Sequence, residues 1–167
     1  MIGDNIVLIG MPSAGKSTIG ELLAADLHMG FVDTDALMIK KTNRRLRDII
    51  NEDGLSKFLE IQEATVLEIN VAGHVVATGG SVVYSEAAMK HLKSSGRIVY
   101  LRSTYEEIEQ RVAPDRRFAR NESQSLKDIY DERIPLYEKY ADITIDCSSK
   151  PAEEIAAEIC SSIKNGK

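Results

Sequence analysis

Short apolar runs alternate with longer segments of helical periodicity along the whole chain. Runs of Ile, Val, Leu or Phe predict five strands, at 5–10, 31–33, 75–77, 98–101 and 143–146. Apolar positions spaced three or four apart predict helices, at 16–27, 36–71 with breaks near 42–43 and 53–54, 86–95, 105–112, 126–141 and 151–163. Strands that are apolar throughout are typical of a parallel sheet that helices cover on both faces. The alternation therefore predicts an α/β fold, with ligands bound outside the carboxyl ends of the strands.

Composition narrows the class of protein. The 167 residues are 43% hydrophobic and 28% charged, which suits one domain over residues 1–167. With 21 basic and 26 acidic side chains the net charge is -5, so we expect no nucleic-acid partner. No apolar run approaches the roughly 20 residues of a membrane helix, and the first residues do not resemble a secretory signal, so we expect a cytoplasmic protein without a membrane partner. Scattered Cys and His residues predict no zinc site and no disulfide.

The first predicted strand leads into a phosphate-binding motif. The segment G-M-P-S-A-G-K-S at 10–17 matches G-x-x-x-x-G-K-[ST] and stands between a strand and a helix. In such a loop backbone N–H groups and the helix N-terminus attract phosphate, lysine reaches the outer phosphates, and the last hydroxyl binds magnesium. The predicted nucleotide-binding residues are Gly10, Ser13, Ala14, Gly15, Lys16, Ser17 and Thr18. No N-K-x-D guanine motif follows, which disfavours a small GTPase, and the chain is too short for the additions that oligomeric motors and helicases carry. A compact kinase remains, with a magnesium ion that accompanies its nucleotide.

Two carboxylates follow the second predicted strand. Asp33-Thr34-Asp35 lies at a carboxyl end, close to the predicted phosphates. One carboxylate could hold magnesium while the other orients an acceptor hydroxyl. The alternative is a helix cap followed by the first helical turn.

Four segments together resemble the shikimate kinase family. They are the phosphate loop, Asp33-Thr34-Asp35, Ala77-Thr78-Gly79-Gly80 and Glu132-Arg133-Ile134-Pro135-Leu136-Tyr137. The resemblance covers essentially the whole chain and implies a P-loop NTPase fold of the nucleoside-monophosphate-kinase-like type. It also implies acceptor-binding helices at about 36–71 and a mobile lid at about 113–125. The implied reaction is transfer of the ATP γ-phosphoryl group to a hydroxyl of shikimate or a related hydroxy acid or polyol, by a monomer.

The resemblance assigns roles to residues near the transferred phosphate. Lys16 stabilises its charge, Ser17 ligates magnesium, and Asp33 holds the ion through water. Asp35 binds the acceptor hydroxyls and accepts the hydroxyl proton, in a reaction that depends mainly on positioning and charge stabilisation.

The resemblance also assigns the acceptor site. Gly79 and Gly80 let the backbone approach the acceptor, and Arg133 pairs with the acceptor carboxylate, a task for which bidentate geometry suits arginine.

An arginine-rich stretch without periodicity supplies the predicted lid. Arg111 and Arg116 would bring positive charge to the nucleotide, and Arg116 corresponds to the family's lid arginine. The family has proline after that arginine, whereas Arg117-Phe118 follow here, so the choice between Arg116 and Arg117 stays open. Lys150 stands where the family's loop packs on adenine.

The sequence departs from the family in the predicted acceptor helix. Leu55, Leu59 and Gln62 replace a glutamate, the second arginine of the carboxylate clamp and another glutamate, and Ser81 replaces a third glycine. Loss of a charge-assisted contact costs about 1.5–3 kcal/mol, or about ten- to a hundredfold in affinity. The joint change indicates a differently built pocket, unless Lys57 replaces the arginine through a small shift of the helix.

Two other functions fit parts of the sequence. One is a regulator that binds nucleotide without efficient transfer, although both carboxylates after the second strand argue against it. The other is a nucleoside or RNA-related kinase that uses the basic stretch Lys40–Arg47, for which a solvated helix edge is the simpler interpretation in an acidic chain.

Overall fold

The computed structural model describes residues 4–113, 118–121 and 123–166. The strands are β1 (Asn5–Ile9), β2 (Gly30–Asp33), β3 (His74–Ala77), β4 (Gly96–Arg102) and β5 (Ile143–Asp146). The helices are α1 (Lys16–Leu27), α2 (Thr34–Thr42), α3 (Leu46–Asp53), α4 (Leu55–Leu67), α5 (Glu86–Ser95), α6 (Tyr105–Arg111), α7 (Leu126–Tyr140) and α8 (Ala152–Asn165). A short 3₁₀ turn, Val82–Tyr84, precedes α5.

The strands form one parallel sheet in the order β2-β3-β1-β4-β5. This confirms the predicted five-stranded sheet. Central strand β1 is buried along its whole length and has β3 on one side and β4 on the other. The chain passes from β1 to β2 on one side of the sheet and reaches β4 on the other, so the loops after β1, β2 and β3 open onto a crevice at the carboxyl edge.

Alternate side chains of β1 enter two different cores. Ile6 and Leu8 pack with residues of α1 and α8. Val7 and Ile9 pack on the opposite face with residues of α5 and α7. Because successive strand side chains point to opposite faces, a continuously apolar strand needs helices on both sides. The predicted covering of the sheet by helices on both faces is therefore confirmed.

The region predicted as interrupted helix over 36–71 consists of α2, α3 and α4. Asn43, with φ 54, ends α2, and Gly54, with φ 88, separates α3 from α4. The breaks were expected near these residues, whereas α2 begins earlier than expected, because Asp33 caps it. Together the three helices enclose a third small core around Met38, Ile49 and Phe58, which also includes Ala119 from the segment predicted as the lid.

Part of the predicted lid at 113–125 lies outside the described residues, namely 114–117 and 122, and this includes Arg116 and Arg117.

Within the described ranges, each helix lacks either the length or the apolar character needed to cross a membrane.

Candidate active site

The phosphate loop turns tightly from the end of β1 into the first turn of α1. Ser13 has left-handed backbone, with φ 67, and the backbone N–H of Ala14 donates to the carbonyl oxygen of Met11 at 3.2 Å. The loop and the start of α1 line a cavity at the carboxyl edge of the sheet, through Ser13, Gly15, Lys16, Ser17 and Thr18. This is the arrangement in which a helix N-terminus attracts an anion.

Lys16 places a cation inside this loop. Its side chain is buried, and Nζ donates to the carbonyl oxygens of Gly10 at 2.6 Å and Met11 at 2.7 Å. The loop carbonyls therefore hold the ammonium group at the cavity that the phosphate motif predicts.

Ser17 and Asp33 bring two oxygen ligands together. Ser17 Oγ donates to Asp33 Oδ2 at 2.6 Å, while Asp33 Oδ1 accepts from the backbone N–H groups of Asp35 at 2.9 Å and Ala36 at 3.2 Å. The carboxylate thus caps α2 with one oxygen and faces the phosphate loop with the other, so the observed helix cap leaves the predicted magnesium role open.

This pair fits a magnesium ion that arrives with nucleotide. Mg²⁺ is usually bound through one or two protein oxygens, with waters and substrate phosphates completing its coordination. Ser17 Oγ and Asp33 Oδ2 are two such oxygens on neighbouring elements. Among residues 4–113, 118–121 and 123–166, no cluster of three or more His, Cys, Asp or Glu side chains forms a separate metal site.

A second cavity adjoins the phosphate cavity and shares Pro12, Asp35 and Gly80 with it. Its apolar lining consists of the side chains of Leu46, Ile50, Phe58 and Phe118. Its polar lining consists of the side chains of Asp35, Gln62, Ser81 and Arg133. Asp35 therefore lies in the wall between a site for phosphate and a site of mixed polarity.

Gly79 keeps the space beside Asp35 open. A Cβ atom at this position would lie 2.7 Å from both Asp35 Oδ1 and Gln62 Nε2. The backbone is held there because the N–H of Gly79 donates to Thr34 Oγ1 at 3.1 Å. A side chain at Gly79 would displace the carboxylate or the amide.

Arg133 is fixed inside the protein at the second cavity. Its side chain is 1% exposed, with Nε donating to the Tyr84 hydroxyl at 3.2 Å and Nη2 to the Ala119 carbonyl at 2.9 Å. Tyr84 in turn donates to Glu132 Oε1 at 2.6 Å. Burial and the contact with Glu132 raise the pKa of Tyr84, so its hydroxyl stays neutral and holds the arginine in place.

Two tyrosines in this site had no assigned role in the sequence. Besides Tyr84, Tyr137 donates its hydroxyl to the carbonyl oxygen of Gly80 at 2.6 Å, and burial raises the pKa of Tyr137 to about 12. Tyr137 belongs to the segment that carried the resemblance, but its contact lies 57 residues away in sequence. The sequence around Tyr137 contains no pattern that predicts such a contact.

Two residues of the diverged acceptor helix, Leu59 and Lys57, lie outside the lining of the second cavity. Leu59 packs against the third core, in the apolar environment of Phe58 and Ile50. Lys57 pairs with Glu60 at 3.1 Å on the outer surface, with half of its side chain exposed. It is not among the residues that line the cavity, so the predicted replacement of the clamp arginine by Lys57 is not supported.

Two further predicted nucleotide contacts, Arg111 and Lys150, do not line the phosphate cavity. Arg111 ends α6 with an exposed side chain, and neither Arg111 nor Lys150 is among the residues that line the cavity. Lys150 Nζ pairs with Glu158 at 2.9 Å. Arg116 and Arg117 lie outside the described residues, and their role stays a prediction.

Acidic neighbours occupy several cations of the basic stretch Lys40–Arg47. Lys41 pairs with Glu68 at 2.7 Å, and Arg45 pairs with Asp48 at 2.8 Å. Arg44 binds two carboxylates, which raise its pKa further, Asp53 more strongly than Glu52. A stretch neutralised in this way offers little attraction to an RNA backbone.

Comparison with known proteins places this geometry in a family. The family model for shikimate kinase matches residues 12–164. The chain belongs to the shikimate kinase family. It is 36% identical over 171 residues to the shikimate kinase of Thermodesulfovibrio yellowstonii, covering 98% of both chains. It is 35% identical over 160 residues to that of Pseudomonas paraeruginosa, covering 93% of both.

A solved structure supports the same assignment. Shikimate kinase from Acinetobacter baumannii in complex with shikimate aligns with a TM-score of 0.90 and 30% identity, covering 98% of this chain and 94% of that chain. The predicted P-loop fold and the predicted kinase activity are thereby confirmed. This member of the shikimate kinase family is an enzyme that uses ATP as phosphoryl donor.

Proposed function

We propose that this chain transfers the γ-phosphoryl group of ATP to a hydroxyl of a small hydroxy acid, shikimate or a close relative. The observation that carries the proposal is the pair of adjoining cavities with Asp35 in their common wall. One cavity has the phosphate loop and Lys16, and the other has a buried arginine for a carboxylate. For shikimate, the reaction would be a step of aromatic amino acid biosynthesis.

At the phosphate cavity, Lys16 would stabilise negative charge on the outer phosphates, and Ser17 and Asp33 would hold magnesium. The ion, when bound, neutralises phosphate charge and orients the phosphates for attack. The interaction of Asp33 with two N–H groups of α2 fixes its carboxylate before nucleotide arrives. Preorganised groups of this kind stabilise a transition state without reorganising during the reaction.

Asp35 would orient the acceptor hydroxyl and take its proton. The hydroxyl oxygen forms a bond to the γ-phosphorus as the bond from that phosphorus to the bridging oxygen breaks, so that ADP leaves and the proton passes to Asp35. Gly79 leaves room for this hydroxyl beside the carboxylate.

Arg133 would bind the carboxylate of the acceptor. Its contacts with Tyr84 and the Ala119 carbonyl restrict the guanidinium before the ligand binds, which lowers the entropy lost on binding. Among the described residues lining the second cavity, Arg133 carries the cationic charge alone. An acceptor with a single carboxylate therefore matches the site, and without the second clamp arginine we expect it to bind about ten- to a hundredfold more weakly than with both.

We further propose that the chain acts as a monomer on free small molecules. The groups proposed to act on phosphate and acceptor, Lys16, Asp35 and Arg133, line two adjoining cavities of the same chain, which supports this proposal. The ion pairs along Lys40–Arg47 disfavour the RNA-related alternative.

ADP release tests the proposal. Purified protein with ATP and magnesium is given shikimate and, in parallel, other hydroxy acids, polyols without a carboxylate, and nucleosides. We expect turnover on shikimate or another hydroxy acid and little on polyols. Turnover confined to polyols or nucleosides would contradict the role of Arg133, and tight ATP binding without turnover on any acceptor would favour the regulator.

A further inference from the structure

Gln62 has a buried amide nitrogen with no hydrogen-bond partner within the part of the chain that the structure describes. The residue lies in α4, is 3% exposed and lines the second cavity. Buried polar groups in native proteins nearly always have a partner, so an exception that borders a ligand cavity indicates a partner supplied by the ligand.

Ser81 fixes the direction of this amide. Its hydroxyl, itself buried, donates to Gln62 Oε1 at 2.9 Å. With the oxygen end held, the NH₂ end faces Gly79, where Gln62 Nε2 and Asp35 Oδ1 both lie 2.7 Å from the site of a missing Cβ atom. Because both atoms lie 2.7 Å from the same point, Gln62 Nε2 and Asp35 Oδ1 are at most twice that distance apart. The opposite amide orientation would set an oxygen toward the carboxylate, which is electrostatically unfavourable.

We propose that Gln62 is a specificity-determining residue whose Nε2 donates a hydrogen bond to a hydroxyl oxygen of the acceptor, and that Ser81 is the positioning residue that orients it. A hydroxyl both donates and accepts, so hydroxyl groups placed against Gly79 satisfy Asp35 as acceptor and Gln62 as donor. The inference rests on the proposed function, because it concerns the acceptor of that reaction.

The apolar surroundings explain why an amide suits this position. Leu59, one turn earlier in α4, offers no cation to balance a carboxylate at position 62. A glutamate there would be buried near Asp35, and two carboxylates close together resist double ionisation. The neutral amide offers a directed donor without that charge.

Kinetics of Gln62→Met test the donor. Methionine has a comparable length and lacks the amide. The acceptor in the assay is shikimate or the hydroxy acid with the highest turnover in the panel. We expect the acceptor KM to rise about tenfold while the ATP KM stays unchanged, since one hydrogen bond is lost and the phosphate cavity is untouched. Ser81→Ala, which releases the amide but keeps the donor, should give a smaller rise. An unchanged acceptor KM in Gln62→Met would overturn the inference.

Two further arms separate binding from packing. An acceptor analogue that lacks the hydroxyl facing Gln62 should bind the wild type and Gln62→Met equally well, whereas a merely structural role would leave the difference between them. Thr65→Val is the matched control, because it removes a different buried polar group of α4, a hydroxyl that donates to the carbonyl oxygen of Ile61 and lies outside this cavity. It should leave the acceptor KM unchanged.

Calorimetry with ADP measures acceptor affinity apart from turnover. If the wild type binds and phosphorylates a hydroxy acid while Gln62→Met binds it equally well, the inference fails and the proposed function stands. If the wild type binds no acceptor and releases no ADP, the proposed function fails, and the inference fails with it. Thermal unfolding of each variant shows whether a loss of acceptor binding reflects misfolding. If Gln62→Met misfolds, Gln62→Asn replaces it, because asparagine keeps the amide on a shorter side chain. The inference then requires that Gln62→Asn also raise the acceptor KM.

Discussion

Asp35 stands at the point where the two cavities meet, and no other carboxylate borders both of them among the described residues. Its backbone N–H holds Asp33, while its side chain reaches Gly79. In the proposed function, this residue connects the side of the site that would hold magnesium with the side that would bind the acceptor. A substitution that keeps its shape separates the chemistry of the carboxylate from its structural contribution.

Asp35→Asn should lower kcat at least about a hundredfold, because an amide cannot accept the hydroxyl proton. ATP affinity should change little, since the backbone contact with Asp33 does not depend on the side chain. ADP release and nucleotide titration measure the two effects separately. Asp48→Asn is the control, because Asp48 pairs with Arg45 on α3 and lies outside both cavities. Unchanged turnover in Asp35→Asn would remove this residue from the mechanism.

At the residue scale, a functional group could be predicted from the sequence when its partners lie close to it along the chain. The phosphate motif lies in eight consecutive residues, so its chemistry is visible without a structure. Contacts such as Ser81 with Gln62, 19 residues apart, or Arg133 with Tyr84, 49 residues apart, arise only when helices pack together. The sequence indicated that Gln62 and Ser81 depart from the family pattern, and the structure shows that their side chains form a hydrogen bond with each other.

At the element scale, the start of α2 joins a helix cap to the proposed magnesium site. Asp33 caps the helix with one carboxylate oxygen and meets Ser17 with the other. In the sequence these were competing explanations, and the predicted start of the helix was two residues late because the cap was treated as an alternative. By contrast, the breaks at Asn43 and Gly54 were predicted well, since left-handed backbone favours asparagine and glycine.

Two substitutions at Asp33 should separate its functions. Asparagine is as good an N-cap as aspartate, so Asp33→Asn should keep the free energy of unfolding within about 0.5 kcal/mol, whereas Asp33→Ala should lose about 1 kcal/mol. Both should raise the magnesium concentration needed for half-maximal activity, by about 10- to 100-fold. Urea unfolding and magnesium titration of ADP release measure the two effects. Equal magnesium dependence in wild type and Asp33→Asn would exclude Asp33 from the magnesium site.

At the scale of the whole molecule, one parallel sheet positions every part of the site. The order β2-β3-β1-β4-β5 brings the loops after β1, β2 and β3 to one edge, and α2, α3 and α4 close the acceptor side. Periodicity and the resemblance predicted a five-stranded parallel sheet with covering helices and the helical region at 36–71, but the strand order comes from the structure. The contents of the acceptor cavity did not follow from either, because they depend on how α4 and α7 pack against the crevice.

Cys147 offers a probe of the whole fold, because it is fully buried in the core between the sheet, α1 and α8. Burial raises the pKa of its thiol to about 12. Because the thiolate is the reactive form, the native thiol should be inert near pH 8 and should react when the chain opens. The raised pKa favours the folded state while the thiol is protonated, so this stabilisation is present below the ordinary thiol pKa of 9.0 and is lost as the pH rises toward 12.

Binding of ATP and magnesium should protect Cys147, although this residue is not among those that line the phosphate cavity. A ligand at 100 times its Kd stabilises the native state by about 2.7 kcal/mol, so labelling through global opening should slow about a hundredfold. The experiment uses Cys160→Ser, which leaves Cys147 as the single thiol, and follows its reaction with a thiol reagent at pH 8. The same protein with Lys16→Ala should lose most of the protection. Equal protection in the proteins with and without Lys16→Ala would show that ATP binds elsewhere. If ATP binds but slows the labelling of neither protein, Cys147 is exposed by local opening rather than by global unfolding.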